Sequence, residues 1–84
     1  MRRAYVRVLV DVDELGKACP RRIYWEDGRS FAVDRLLDVR RAASTKVGGQ
    51  GMRYTCRVRG REVYLFEDEG RWFVEARDAP APEF

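Results

Sequence analysis

Residues 4–12, Ala-Tyr-Val-Arg-Val-Leu-Val-Asp-Val, alternate with a period of two. Ala4, Val6, Val8, Val10 and Val12 fall on one side, and Tyr5, Arg7, Leu9 and Asp11 on the other. That alternation predicts a strand with one face in a core. Asp13 to Pro20 has no period, and Gly16 and Pro20 punctuate it as a loop or a single helical turn. Arg21–Glu26 reads as a second strand with Ile23 and Trp25 inward. Asp27-Gly28 follows as a hairpin signal of the type I′ kind. A third strand starts at Arg29, with Phe31, Val33, Leu37 and Val39 on one face. Arg35 lies in phase with them, and a buried unpaired arginine is costly. A bulge or kink is therefore expected near Asp34-Arg35, the alternative being a short helix over Val33–Arg41.

Ala42–Gly51 is small and glycine-rich and reads as a loop. Met52–Arg59 alternates again, with Met52, Tyr54, Cys56 and Val58 opposite Arg53, Thr55, Arg57 and Arg59. Gly60-Arg61 turns it into Glu62–Glu67, and Asp68-Glu69-Gly70 turns that into Arg71–Ala76. Strands joined by tight turns at this length must curl to bury their valines and aromatics. The pattern predicts an all-β, single-domain antiparallel barrel of five to six strands over residues 1–77, SH3-like in the first instance and OB-like in the second. Residues 78–84, with Pro80 and Pro82, read as a flexible tail.

Composition narrows the chemistry. There is no histidine among the 84 residues, which removes the usual proton carrier and metal ligand. Cys19 and Cys56 alone make no zinc site, and they read as reduced, apolar side chains. The expectation is a protein that is not an enzyme, with no catalytic residue, metal or cofactor. The amino terminus runs directly into strand pattern, with neither a signal-like nor a membrane-spanning apolar run, so the expected location is cytoplasmic.

Charge is unevenly placed. Residues 1–61 hold fifteen cations against seven carboxylates, a surplus of eight, whereas residues 62–84 hold two against seven. The row Arg53, Arg57 and Arg59 on one strand face, at roughly 6.6–7 Å intervals, is close to the spacing of successive phosphates. Arg61, Arg40, Arg41 and Lys46 extend it, and Arg forks suit phosphate. Tyr24, Tyr64 and Phe73 are candidate stacking surfaces. Glu62, Glu67 and Asp68 on the neighbouring strand compete for the same guanidinium groups.

Two blocks, 23–40 and 54–75, carry a likeness to known proteins. Trp25, the Asp27-Gly28-Arg29 turn, the alternating strand and the closing Gly70-Arg71-Trp72 resemble small uncharacterised bacterial proteins, over about half the chain. The resemblance implies an SH3-like barrel. Some of those proteins are encoded near DNA-repair polymerases, which implies a nucleic-acid partner and transfers no catalytic residue.

The functional expectation is a non-enzymatic module binding single- or double-stranded nucleic acid through Arg53, Arg57, Arg59, Arg61, Arg40, Arg41, Lys46 and Tyr64. The alternative is a protein-interaction or homodimer module. It would use an open sheet edge or an aromatic groove around Tyr24, Tyr64 and Phe73.

Overall fold

The computed structural model describes residues 2–42 and 51–76. Seven antiparallel strands form one curled sheet, and there is no helix among the described residues. They are β1 (Arg2–Val12), β2 (Ala18–Tyr24), β3 (Ser30–Ala32), β4 (Arg35–Arg41), β5 (Met52–Val58), β6 (Arg61–Asp68) and β7 (Arg71–Ala76). Their spatial order is β3-β2-β1-β7-β6-β5-β4. The last strand thus pairs with the first, Ala4 lying opposite Val74.

The outermost strands of that order, β3 and β4, are separated in the chain by only Val33 and Asp34. Val33 N–H donates to the Arg21 carbonyl on β2 at 2.8 Å, and Asp34 N–H donates to the Arg57 carbonyl on β5 at 2.8 Å. Two consecutive residues therefore tie the two edges together, and the sheet curls toward a barrel. This is the kink the pattern demanded. The expected third strand is split there, which is why seven strands appear where five or six are expected. The short helix over Val33–Arg41 does not form. Arg35 is exposed, and a register irregularity between Leu36 and Asp38 resets the phase so that Leu36 and Val39 pack on the core.

The inner face buries Ala4, Ile23, Trp25, Phe31, Tyr54, Cys56, Val58, Leu65 and Val74, with Val6, Val8, Val63 and Trp72 packed around them. Each fully buried aliphatic side chain contributes roughly 1.5–3 kcal/mol. Pro20, read from sequence as a breaker, lies fully buried inside β2. It sits opposite Val10, beside the shift that leaves Arg21 as the extra residue, and such a shift accommodates a residue without an N–H.

Turn chemistry also differs from expectation. The two-residue loops Arg59-Gly60 and Glu69-Gly70 have both residues at positive φ, at 52° and 78° and at 52° and 81°, so these are the type I′ hairpins. At Asp27-Gly28 only the glycine has positive φ. Gly28 N–H donates to the Trp25 carbonyl at 3.1 Å and Trp25 N–H to the Arg29 carbonyl at 2.8 Å, a longer loop with a glycine bulge. There the Arg29 N–H, donating to the Asp27 carboxylate at 3.0 Å, holds the Asp27 pKa below its usual value.

Cys56 lies in the core, and burial, with Cys19 adding to it, pushes its thiol up to about 12. Cys19 is half-buried. Under native conditions near pH 8, iodoacetamide is expected to label Cys19 and spare Cys56 until denaturant is added, read by peptide mass spectrometry. Equal native labelling of both would contradict this core.

Candidate nucleic-acid interface

Residues directly opposite one another on antiparallel strands share a face, so the pairing registers map the outer side of the sheet. Tyr5 lies opposite Phe73, Phe73 opposite Phe66, Phe66 opposite Arg53 and Arg53 opposite Arg40. One row therefore crosses β1, β7, β6, β5 and β4, a width of roughly 19 Å at ordinary strand spacing. Arg3 and Arg7 flank Tyr5 along β1, Arg71 flanks Phe73 along β7, and Tyr64 flanks Phe66 along β6.

The aromatic rings of this row form a second packed layer. Phe66 and Phe73 stack at 5.2 Å with 13° between their planes. Tyr5 meets Phe73 edge-on at 5.8 Å, and Tyr64 meets Phe66 edge-on at 6.4 Å. The phenylalanines are covered, at 1% and 4% exposure, while Tyr5 and Tyr64 at the two ends remain 40% and 46% exposed.

Arginines lie over these rings. The guanidinium carbon of Arg71 is 3.8 Å from the Tyr5 ring centre, that of Arg53 is 4.4 Å from Tyr64, and that of Arg3 is 4.8 Å from Phe73. Arg7 lies 4.9 Å over Tyr24, and Arg29 lies 5.8 Å over Phe31. Five such contacts occur among the described residues, each within the roughly 6 Å over which a ring face attracts a cation. The Arg53 Nε is buried without a hydrogen-bond partner.

Two arginines of this face are not paired with the carboxylate opposite them. Ion pairs among the described residues include Arg2–Glu26, Arg21–Asp11, Arg29–Asp27 and Arg40–Asp38, and Arg3 lies opposite Glu75 on this face. Arg57 lies opposite Glu62, and Arg71 opposite Asp68, yet neither makes an ion pair among the described residues. Glu67 points to the other side, opposite Trp72, and accepts the Gly70 N–H at 3.3 Å.

The eight residues singled out in the sequence do not all meet. Arg53, Arg57, Arg40 and Tyr64 share the outer face. Arg59 sits in the β5–β6 turn beside it. Arg41 and Arg61 point to the opposite side at the rim, because they lie opposite Met52 and Val58. Lys46 and most of the glycine-rich segment lie outside the described residues, as does the tail at 78–84. Thr55 is buried between the arginines of its strand, and Phe73 is too covered to serve as a stacking surface. Arg3, Tyr5, Arg7, Phe66 and Arg71 join the face unforeseen. The signal was present for Tyr5 and Arg7, which alternate away from the valines. Only the β1–β7–β6 pairing brings them beside Arg53.

No protein-family model, curated protein or solved structure matches the chain. Among the described residues no group of histidine, cysteine or carboxylate side chains could hold a metal ion. Nor, among the described residues, is any helix long and apolar enough to cross a membrane.

Proposed function

We propose that the protein is a non-enzymatic, cytoplasmic nucleic-acid-binding module that uses the outer face of its curled sheet. The observation that carries this reading is that the guanidinium groups of Arg53 and Arg71 lie on tyrosine rings rather than on carboxylates. A stacked guanidinium keeps its edge N–H groups for phosphate, so the positive charge on this face is available to a polyanion. Arg57 and Arg40 widen the band, with Arg40 shared with Asp38 at 2.7 Å. Phosphate contacts of this kind position a strand without reading its sequence.

An SH3-like barrel is the proposed fold type. It is favoured over an OB-like one because all consecutive strands except β3 and β4 pair as neighbours and the last pairs with the first, with no Greek-key crossover among the described residues.

Fluorescence anisotropy of labelled oligonucleotides at two salt concentrations tests the function. About four phosphate contacts give a log–log salt slope of roughly −3 to −4. Replacing Arg53, Arg57 and Arg71 with alanine is expected to flatten that slope by two to three units, and absence of binding at low salt would falsify the reading.

The second reading, a protein-interaction or homodimer module, has one observation in its favour. Beyond Val6, β1 pairs only with β2 among the described residues, and Leu9, Val12 and Leu15 are exposed along that arm, Leu15 at 90%. A dimer by light scattering together with no oligonucleotide binding would select it.

A further inference from the structure

The nucleic-acid reading leaves open which form of polymer the face takes, and the arrangement of its rings bears on that choice. We propose, resting on that reading, that the ligand is single-stranded nucleic acid whose unstacked bases lie against Tyr5 and Tyr64.

The two tyrosines end an aromatic line whose middle is closed. Phe73 and Phe66 are spent on each other and on the tyrosine edges, leaving no ring surface for a ligand. Tyr5 and Tyr64 keep about two-fifths or more of their surface open, and each has a guanidinium held against it. A base meets either the free part of the ring or the flat guanidinium on top of it, and both are stacking surfaces. The same guanidinium presents its edge to the phosphate joining that base to the next. Stacking and charge are thus supplied twice, at the two ends of the line.

Room exists beside Tyr5. A shallow depression of about 310 Å³ lies toward Val8, Arg71 and Trp72. A second, of about 360 Å³, lies toward Arg7, Tyr24 and Glu26. Tyr5 and Arg7 line both. At the other end the Arg53 guanidinium lies on Tyr64, and Arg57, opposite Glu62, stands on the same face.

Duplex fits this surface poorly. Paired bases offer only their edges to a protein, so the two rings would meet sugar and phosphate and lose their stacking. Entry into a major groove needs a helix or a two-stranded ribbon. The one ribbon among the described residues that extends beyond the sheet is the β1–β2 arm. Its end carries Asp13 and Glu14 against Lys17, beside exposed Leu15, and Asp11 is paired with Arg21, so it offers a phosphate backbone no surplus of positive charge.

The experiment uses the full chain and three labelled probes of equal length: a single strand of mixed bases, its duplex, and an abasic strand. At one moderate salt concentration the mixed strand is expected to bind at least tenfold more tightly than the abasic strand or the duplex. Tyr5→Ala and Tyr64→Ala are each expected to weaken the mixed strand about tenfold, which is 1.4 kcal/mol by the room-temperature conversion, and to weaken the abasic strand by less, so that the preference for bases falls. Tyr5→Leu, which keeps apolar cover over Phe73 but removes the flat ring, behaves as Tyr5→Ala if stacking is the cause. Tyr5→Phe and Tyr64→Phe restore wild-type affinity. Equal affinity for all three probes with a steep salt slope would overturn the single-strand proposal and leave polyanion binding in place. Failure of every probe to bind at low salt would overturn polyanion binding itself.

Discussion

Gly51→Ala is expected to lower the melting temperature by on the order of 15 °C, through a loss of about 3 kcal/mol. Gly51 has φ of +125°, where a side chain is strained, and it immediately precedes β5. A Cβ placed there would fall inside the carbonyl oxygen of Glu67 and come within 3.1 Å of the Asp68 Cα, both backbone atoms of β6. Neither can move aside as a flexible side chain would. The strain therefore has to open the start of the β5–β6 pairing, where Met52 faces Glu67, or loosen the bond from Ala42 N–H to the Gly51 carbonyl at 3.0 Å. Gly60→Ala is the control. It also has positive φ, at +78°, but nothing lies within 4 Å of the new Cβ. Its cost is the backbone term alone, about 1 kcal/mol. Thermal melts followed by far-ultraviolet circular dichroism give both values. Equal shifts for the two variants would mean that the close approach of Gly51 to β6 does not occur.

Phe73→Ala is expected to cost about 3–5 kcal/mol, a large part of what a domain of this size possesses. The ring lies outside the main core, yet it is 1% exposed. It is wedged between Phe66 at 5.2 Å and Tyr5 at 5.8 Å, with the Arg3 guanidinium 4.8 Å above it. Removing it leaves a void that stiff strands on either side cannot close. Urea denaturation is expected to show a lower midpoint with an unchanged slope, and Phe73→Leu about a third of the loss. A midpoint unchanged in Phe73→Ala would show that the outer aromatic layer contributes nothing to stability. The same substitution links the layer to the proposed binding, because Tyr5 is held upright by that ring. A Phe73→Leu variant that still folds is therefore expected to bind single strands less tightly while keeping its salt slope.

The strand pattern was legible because alternation reports burial directly. Arg71–Ala76 is a strand over the expected residues, and Met52–Val58 differs from expectation by one residue at its end. Tyr54, Cys56 and Val58 are buried as their spacing implies. Local reading failed where a residue's environment overrode its habit. Pro20 is tolerated within β2 by a register shift that no composition rule reveals. The positive-φ pairs fell on Arg59-Gly60 and Glu69-Gly70 rather than on Asp27-Gly28, because loop length, set by the strand registers, selects the turn.

The candidate face divides along the same line. Alternation within one strand separated Arg53 and Arg57 from Tyr54, Cys56 and Val58, and it separated Tyr5 and Arg7 from the valines of β1. That much follows from a side-chain period of two, a property of the extended chain itself. Which strands lie side by side depends on pairings between residues far apart in sequence. Only those set Tyr5 beside Phe73, Phe66 beside Arg53, and Arg41 and Arg61 on the opposite side. The sharing of guanidinium groups between rings and carboxylates was likewise decided in three dimensions. An arginine chooses among partners within a few ångströms, and the folded sheet determines who those partners are.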